Sequence, residues 1–237
     1  MQPRFVGRMS LADAVTISNA ALGFLTVVVA FSDPMTAARL LLLAAIADGL
    51  DGVVARAYGG SPAGEYLDSL ADVASFSVAP AVIVFVVAKD SLGVEGLAAT
   101  PEAVLVFGLP ALFVAMAVLR LGMYTAYDTR ESYTEGVQTT LAATIIGAAI
   151  LAGLGDPYYL LGVTAVFCYL MVATIEYPDL LARDAFIMGV THALAILIPT
   201  WAGRTFPYAL LILALAYLTL GPRFYWREDE PSTNGNA

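Results

Sequence analysis

Long apolar runs follow one another from Leu11 almost to Leu220, and short polar or glycine- and proline-containing breaks separate them. A helix needs about 20 residues to cross a bilayer. On that measure we predict eight membrane-spanning helices, near residues 11–31, 35–56, 68–89, 101–124, 138–154, 157–176, 185–202 and 206–221. The runs lack the period-two alternation of β-strands, so helices are the spanning element that the pattern supports. The predicted fold class is all-α, a polytopic membrane helix bundle.

Composition agrees with residence in the lipid bilayer. Hydrophobic residues make up 59% of the chain and the mean hydropathy is +0.79, whereas soluble domains are roughly 45–50% apolar. We predict one membrane domain over residues 1–226, without a cleavable signal peptide, because the first residues lead directly into a long span. The polar tail, residues 227–237, is predicted to be disordered.

Charge sets the predicted orientation and excludes one class of partner. If both termini are cytoplasmic, most arginines fall on or near that side, and only Arg39, Lys89 and Arg204 lie towards the other, as the positive-inside rule expects. The arginines on the cytoplasmic side would be Arg4, Arg8, Arg56, Arg120, Arg130, Arg183, Arg223 and Arg227. The net charge of −9 argues against nucleic-acid binding. We therefore predict a protein integral to the cytoplasmic membrane.

Four aspartates interrupt this apolar chain in the stretch ADGLDGVVARAYGGSPAGEYLDSLAD. An acidic side chain in a membrane helix costs about 2.5–3.5 kcal/mol on insertion scales, so it persists where a partner, water or function compensates it. Asp48 and Asp51 are three residues apart and Asp68 and Asp72 are four apart, so each pair shares one helix face. The glycine-containing loop near residues 57–65 turns the chain back and brings the pairs together.

Carboxylate oxygens in this number suit a hard divalent cation such as Mg²⁺, Mn²⁺ or Ca²⁺. The single Cys168 and the single His192 cannot build a cysteine- or histidine-rich metal site. Small residues between the two pairs leave little side-chain bulk, so a ligand can approach the backbone, and an arginine adds a positive charge suited to phosphate oxygens. These are Gly52, Ala55, Arg56 and Gly64. The combination indicates a phosphate-containing substrate, although aspartates and small residues can also serve helix packing alone.

The same stretch resembles the signature of the CDP-alcohol phosphatidyltransferase family, because every fixed position of that signature is present. The resemblance implies that Asp48, Asp51 and Asp68 hold two divalent ions, Mg²⁺ or Mn²⁺, and that Asp72 adds a ligand or acts as the base towards the acceptor hydroxyl. The residues that it implies along the CDP group are Gly52, Ala55, Arg56 and Gly64. It further implies a homodimer. The arginine distribution places the loop after Arg56, and with it the active site, on the cytoplasmic side.

The residues after the signature favour one branch of the family. LDSLADVASFSVAPAVIVF, starting at Leu67, resembles the phosphatidylserine synthases, with weaker echoes in SNAALGF, LRLGMY, EGVQTT and LMVATIEYP. Two departures are Gln138, where a proline is common, and the lack of an arginine after Gly122. The resemblance implies transfer of a phosphatidyl or archaetidyl group from a CDP-lipid to L-serine with release of CMP. Inositol phosphate and glycerol phosphate remain alternative acceptors, and a divalent-cation transporter is the alternative from another class.

Further polar residues have two interpretations each. Arg120 either binds the serine carboxylate or anchors its helix at the membrane interface. Gln138, Thr139 and Thr140 either face the acceptor or cap the start of a helix, and capping is favoured. Asn19 either binds the nucleotide or bonds a neighbouring helix, and the resemblance favours the nucleotide.

Overall fold

The structure, a computed structural model, describes residues 7–128 and 133–226, so the predicted disorder of residues 227–237 lies outside the described residues. Eight long helices make up most of this part of the chain. They are α1 (Leu11–Ala30), α2 (Pro34–Tyr58), α3 (Gly64–Leu92), α4 (Pro101–Met123), α5 (Thr139–Ala152), α6 (Pro157–Leu170), α7 (Ala182–Leu197) and α8 (Thr205–Phe224). The all-α prediction is confirmed.

Four helical segments are long and apolar enough to cross a membrane. In the described ranges these are Leu11–Ala30, Gly64–Leu92, Pro101–Tyr127 and Trp201–Phe224. The shorter apolar helices α5 and α6 accompany them. The chain therefore forms a membrane helix bundle, as the apolar runs predict.

Local sequence explains where several helices begin. Ser10 caps α1 in a reciprocal capping box with Asp13, in which each side chain bonds the backbone N–H of the other. Asp33 accepts hydrogen bonds from the first turn of α2, and Pro34 follows at the position where proline is tolerated. Thr100 and Asp156 cap α4 and α6 in the same way. These caps satisfy backbone donors that a helix start leaves unpaired.

Helix α5 lies at the centre of the bundle. Every residue from Thr139 to Ala152 except Thr140 is buried, and the helix is apolar on all sides, as expected of a helix enclosed by others. It packs against α2 and α8. Its 14 residues span only about 21 Å at 1.5 Å per residue, less than the roughly 30 Å of the hydrocarbon core.

Helices α1 and α3 approach each other unusually closely at Gly23. A Cβ atom at Gly23 would lie 2.7 Å from the Ser75 hydroxyl and 2.8 Å from backbone atoms of Ala74 and Ser75. Ser75 donates a hydrogen bond to the backbone carbonyl of Asn19 over 2.8 Å. The contact falls in a π-helical segment, Val73–Val78, that interrupts α3 directly after Asp72. Glycine in SNAALGF is therefore explained by packing.

The predicted span over residues 157–176 is wrong at its end. Helix α6 stops at Leu170, and Glu176–Pro178 forms strand β2, which pairs antiparallel with β1, Tyr133–Glu135. Backbone N–H groups of Gly136 and Val137 donate to the carbonyls of Ile175 and Leu170. The backbone after α6 thus forms hydrogen bonds with another segment, which a hydropathy pattern does not record.

Replacing Gly136 with alanine is expected to destabilise this small sheet. Gly136 has φ +76°, and a Cβ atom there would lie 2.3 Å from the Met171 carbonyl oxygen. The backbone conformation alone costs a non-glycine residue about 1–3 kcal/mol, and the Met171 backbone must also move. Thermal unfolding of the purified protein in detergent would measure the loss.

Gly162→Ala is the matched control, because Gly162 lies inside α6 and no atom of the described residues lies within 4 Å of the position of its Cβ atom. Alanine is favoured over glycine in a helix by roughly 0.5–1 kcal/mol, so this variant should be as stable as the parent or more so. Equal unfolding temperatures for the two variants would contradict the close approach at Gly136.

Candidate active site

Three aspartates meet at one end of the bundle, where a short turn after Tyr58 joins the end of α2 to the start of α3. Gly59 makes this turn with φ +89°, a conformation that favours glycine. Asp48, Asp68 and Asp72 each place one carboxylate oxygen so that the three oxygens lie within 4.8 Å of one another. The turn therefore brings Asp48 together with two aspartates that lie 20 and 24 positions later in the sequence.

Asp51, the fourth predicted carboxylate, lies beside this cluster and is bound to α1. It is buried, and the Thr16 hydroxyl donates to its Oδ2 atom over 2.6 Å. It remains near enough to interact electrostatically with Asp48 and Asp68. Thr16 thus orients Asp51 from a neighbouring helix.

Asp48 and Asp72 have different environments. The Thr140 hydroxyl, at the start of α5, donates to Asp48 Oδ2 over 3.4 Å. Asp72 is 7% exposed, and its Oδ1 atom has no hydrogen-bond partner within the described part of the chain. Burying a carboxylate oxygen without a hydrogen-bond partner costs free energy. A ligand that binds the Oδ1 atom of Asp72 would remove this cost.

The carboxylate cluster carries excess negative charge. Arg120 interacts electrostatically with both Asp68 and Asp72, but one guanidinium does not balance four neighbouring aspartates. The donors are all oxygen atoms close to one another, which fits a divalent cation such as Mg²⁺ or Mn²⁺. The geometry of the cluster therefore fits the predicted divalent-cation site.

Arg120 is fixed inside the protein. It is 7% exposed, its Nη2 atom donates to the Thr134 hydroxyl over 2.9 Å, and its guanidinium carbon lies 5.1 Å from the centre of the Tyr124 ring. An interfacial anchor would extend its charged group into water. The anchor interpretation is therefore wrong, and the Arg120 guanidinium is held inside the protein near Asp68 and Asp72.

The residues predicted along CDP lie on one stretch of α2 and the start of α3. A Cβ atom at Gly52 would contact only the flexible Arg56 side chain, at 3.4 Å, within the described residues. Ala55 is partly exposed and Arg56 is exposed. A Cβ atom at Gly64 would lie 3.6 Å from Asp13 Oδ1. The surface beside the cluster therefore has little side-chain bulk, and the exposed Arg56 lies at its edge.

Asn19 lies in α1, one turn after Thr16. It is fully buried, and neither its amide nitrogen nor its amide oxygen has a partner among the residues that the structure describes. The alternative of a side-chain bond to a neighbouring helix is therefore not observed. The amide remains available for a ligand.

The start of α5 departs from the capping prediction, which is wrong. Gln138 precedes the helix, but its side chain makes no capping hydrogen bond with the described residues. Thr139 is fully buried, and its hydroxyl has no partner in the described ranges, while Thr140 bonds Asp48. Thr140 therefore lies towards the carboxylate cluster, and Thr139 lies in the interior.

Sequence reasoning missed three residues of the site. Thr16 shares a face of α1 with Asn19, three positions away, so helical spacing alone could have indicated it. Tyr124 follows Arg120 by one turn and carried a similar signal. No sequence pattern indicated Thr134, because its contact with Arg120 depends on the formation of a short strand.

Comparison with known proteins identifies the family to which the chain belongs. A model of the CDP-alcohol phosphatidyltransferase family matches residues 9–177. An archaetidylserine synthase from Methanothermobacter thermautotrophicus is 30% identical over 72% of this chain and 70% of its own length. CDP-diacylglycerol–serine O-phosphatidyltransferases from Helicobacter pylori and Methanocaldococcus jannaschii are 32% and 28% identical, over 69% and 93% of this chain and 70% and 96% of their own lengths. The chain belongs to the CDP-alcohol phosphatidyltransferase family of membrane enzymes.

Proposed function

We propose that this enzyme transfers a phosphatidyl or archaetidyl group from a CDP-lipid to the hydroxyl of L-serine and releases CMP. The observation that carries the proposal is the carboxylate cluster with the buried Arg120 beside it. The carboxylates suit the phosphoryl transfer, and the arginine suits an acceptor that brings a carboxylate. The names of the similar proteins, which include serine transferases and an archaetidylserine synthase, support the same acceptor.

Asp48, Asp51, Asp68 and Asp72 would hold the divalent metal, Mg²⁺ or Mn²⁺, as two ions. Bound metal in such a site neutralises charge that develops on the phosphate groups and on the departing CMP. Thr16 and Thr140 support the proposal, because each donates a hydrogen bond to one of these carboxylates and so restricts its orientation.

Asp72 acts as the general base. It accepts the proton of the serine hydroxyl while the hydroxyl oxygen bonds to the phosphorus that carries the lipid, and the bond from that phosphorus to the oxygen of CMP breaks. The burial of Asp72 and the unpartnered Oδ1 atom, described above, support this role. The carboxylate has a free acceptor position and lies beside Asp68, near Arg120.

The CDP group lies over Gly52, Ala55 and Gly64, with Arg56 on the diphosphate. The lack of side-chain bulk at Gly52 supports this placement, because the backbone can approach the phosphates there. Asn19 contacts the nucleotide with its otherwise unpartnered amide.

The acceptor occupies the other side of the carboxylate cluster. Arg120 binds the serine carboxylate through two parallel hydrogen bonds, and Gln138 and Thr139 complete the pocket. Thr139 supports this assignment by its buried hydroxyl without a partner in the described residues. The chain belongs to a family of membrane transferases. This membership argues against the alternative that the carboxylates form the path of a cation transporter.

The active site is proposed to face the cytoplasm, and the enzyme to form a homodimer. The orientation is supported by Arg8, Arg56 and Arg223, which lie at the same end of the bundle as the carboxylate cluster, as the positive-inside rule expects of the cytoplasmic end. The homodimer rests on the family resemblance.

An acceptor screen tests the proposal. The purified enzyme with Mg²⁺ or Mn²⁺ and CDP-diacylglycerol or CDP-archaeol is expected to release CMP with L-serine. With inositol phosphate or glycerol 3-phosphate the rate should be at least about 100-fold lower, because a site built for one set of polar groups rejects an acceptor that leaves them unpaired. Labelled CMP is measured, and a reaction without acceptor is the control.

Release of CMP with a phosphorylated polyol and not with serine would overturn the serine assignment, and the transferase chemistry would stand. Comparison of the two lipid donors under the same conditions establishes whether the ester or the ether lipid is the better substrate.

A further inference from the structure

Two hydrogen bonds that run in opposite directions join the small two-stranded sheet to helix α8. The Tyr217 hydroxyl of α8 donates to the backbone carbonyl of Pro178 in β2 over 2.7 Å. The Tyr177 hydroxyl of β2 donates to the backbone carbonyl of Leu218 in α8 over 3.2 Å. Both tyrosines are buried, and their ring centres lie 6.1 Å apart. Neighbouring residues of the helix and of the strand therefore hold each other in place.

A proline in α8 makes one of these bonds specific. A carbonyl in a helix accepts a hydrogen bond from the N–H four residues later. Four residues after Leu218 stands Pro222, which has no N–H to donate. The Tyr177 hydroxyl supplies a donor to this carbonyl. The sequence of α8 thus provides an attachment point for β2 that a regular helix lacks.

Strand β2 in turn places the strand that contacts Arg120. Thr134 of β1 pairs directly with Tyr177. Thr134 is buried, and its hydroxyl accepts the hydrogen bond from Arg120 Nη2. A second contact reaches β1 from the residues after α8, because the centres of the Trp226 and Tyr133 rings lie 6.4 Å apart. The path from α8 to Arg120 therefore consists of direct contacts and one strand pair.

The sheet needs support from another element. Each strand has three residues, and a two-stranded sheet is at best marginally stable unless it packs against a helix or further strands. Helix α8 packs against β2. The position of Thr134 thus depends on α8.

We propose that Tyr217 is a positioning residue for the transfer reaction. By holding the sheet against α8 it keeps Thr134, and through Thr134 the Arg120 guanidinium, in the orientation in which the acceptor binds. The inference rests on the proposed function, which assigns Arg120 to the acceptor. It gives a role in the reaction to α8, which lies outside the residues 9–177 that the family model matches.

Tyr217→Phe tests the inference, because it removes the hydroxyl and keeps the ring. With a CDP-lipid and Mg²⁺, this variant is expected to raise the serine KM about 2- to 10-fold, the range that corresponds to loss of one neutral hydrogen bond. The KM for the CDP-lipid should stay at the parent value. Tyr208→Phe is the matched control, because Tyr208 lies near the start of the same helix with its side chain exposed. It should leave both KM values unchanged.

A double-mutant cycle with Thr134→Val separates positioning from general destabilisation. Thr134→Val removes the hydroxyl that accepts the bond from Arg120, so it should also raise the serine KM. If Tyr217 acts through Thr134, Tyr217→Phe has little further effect in the Thr134→Val enzyme, and the two fold-changes do not multiply. Fold-changes that multiply would show independent effects and would overturn the inference.

Tyr177→Phe removes the other hydrogen bond between α8 and β2 and is expected to raise the serine KM in the same way. It takes the place of Tyr217→Phe if that variant does not fold, as judged by size-exclusion chromatography in detergent. An unchanged serine KM in the folded Tyr177→Phe enzyme would then count against the inference.

The outcomes separate this inference from the proposed function. If the parent enzyme does not use serine, the proposed function fails and the inference fails with it. If the parent uses serine and Tyr217→Phe has the same serine KM as Tyr208→Phe, the role of Tyr217 is overturned while the function stands.

Discussion

Asp72→Asn is expected to lower the rate of CMP release by about 10²- to 10⁴-fold, the usual loss when a general base is removed. The asparagine keeps the shape of the side chain but cannot accept the hydroxyl proton. Asp48, Asp51 and Asp68 remain in place, so binding of the CDP-lipid should be largely retained. Single-turnover CMP release and equilibrium binding of a labelled CDP-lipid measure the two effects separately.

Asp90→Asn serves as the control for this variant. Asp90 is an exposed aspartate of the same helix, beyond the apolar part of α3 and next to Lys89, so its replacement should leave the rate unchanged. Turnover of Asp72→Asn close to that of Asp90→Asn would show that Asp72 is not the base.

Asp48→Asn is expected to weaken the affinity for the metal ion strongly, because Asp48 is proposed to be a direct ligand. Loss of a group that only hydrogen-bonds to a ligand typically lowers the affinity about 10- to 100-fold, and the loss here should be larger. Asp51→Asn should act in the same direction. Titration of Mn²⁺ followed by electron paramagnetic resonance measures the affinity without turnover, and the dependence of CMP release on Mn²⁺ concentration gives a second value. Excess Mn²⁺ should restore part of the activity.

Thr140→Val separates this effect from general damage to the site, since it removes the hydroxyl that donates to Asp48 and leaves the carboxylate. Its effect on Mn²⁺ affinity should be in the same direction and smaller. An Asp48→Asn enzyme with parental Mn²⁺ affinity and an unchanged metal requirement would remove Asp48 from the ligand set.

The apolar runs predicted the helices well because each run corresponds to one buried or lipid-facing helix, and burial in this bundle depends mainly on hydrophobicity. The prediction was wrong where hydrogen bonds between distant segments, and not hydrophobicity, determine where a helix ends. Residues Val172 to Ile175 are apolar enough to continue α6, yet backbone hydrogen bonds with the chain around Gly136 direct them into an irregular segment and strand β2. Contacts between distant segments of this kind leave no periodic signal.

The candidate site shows the same division. Spacing of three and four residues predicted that each aspartate pair shares a face, and the glycine-containing turn predicted that the pairs meet. The buried hydrogen bond of Arg120 could not be predicted, because its acceptor Thr134 lies in a strand that the sequence gives no reason to expect. Helical spacing could have indicated that Thr16 lies on the same face of α1 as Asn19. Its hydrogen bond to Asp51 additionally requires that α1 packs against α2.

The π-helical segment Val73–Val78 divides helix α3 into two halves with separate tasks. The half before it carries Asp68 and Asp72, and the half after it carries buried apolar residues such as Ile83 and Val84. One π turn accommodates an additional residue in a helix, and one residue corresponds to a rotation of about 100°. The segment therefore sets the rotation of the half that carries the aspartates relative to the half that packs inside the bundle, so a single insertion or deletion there would turn one face relative to the other.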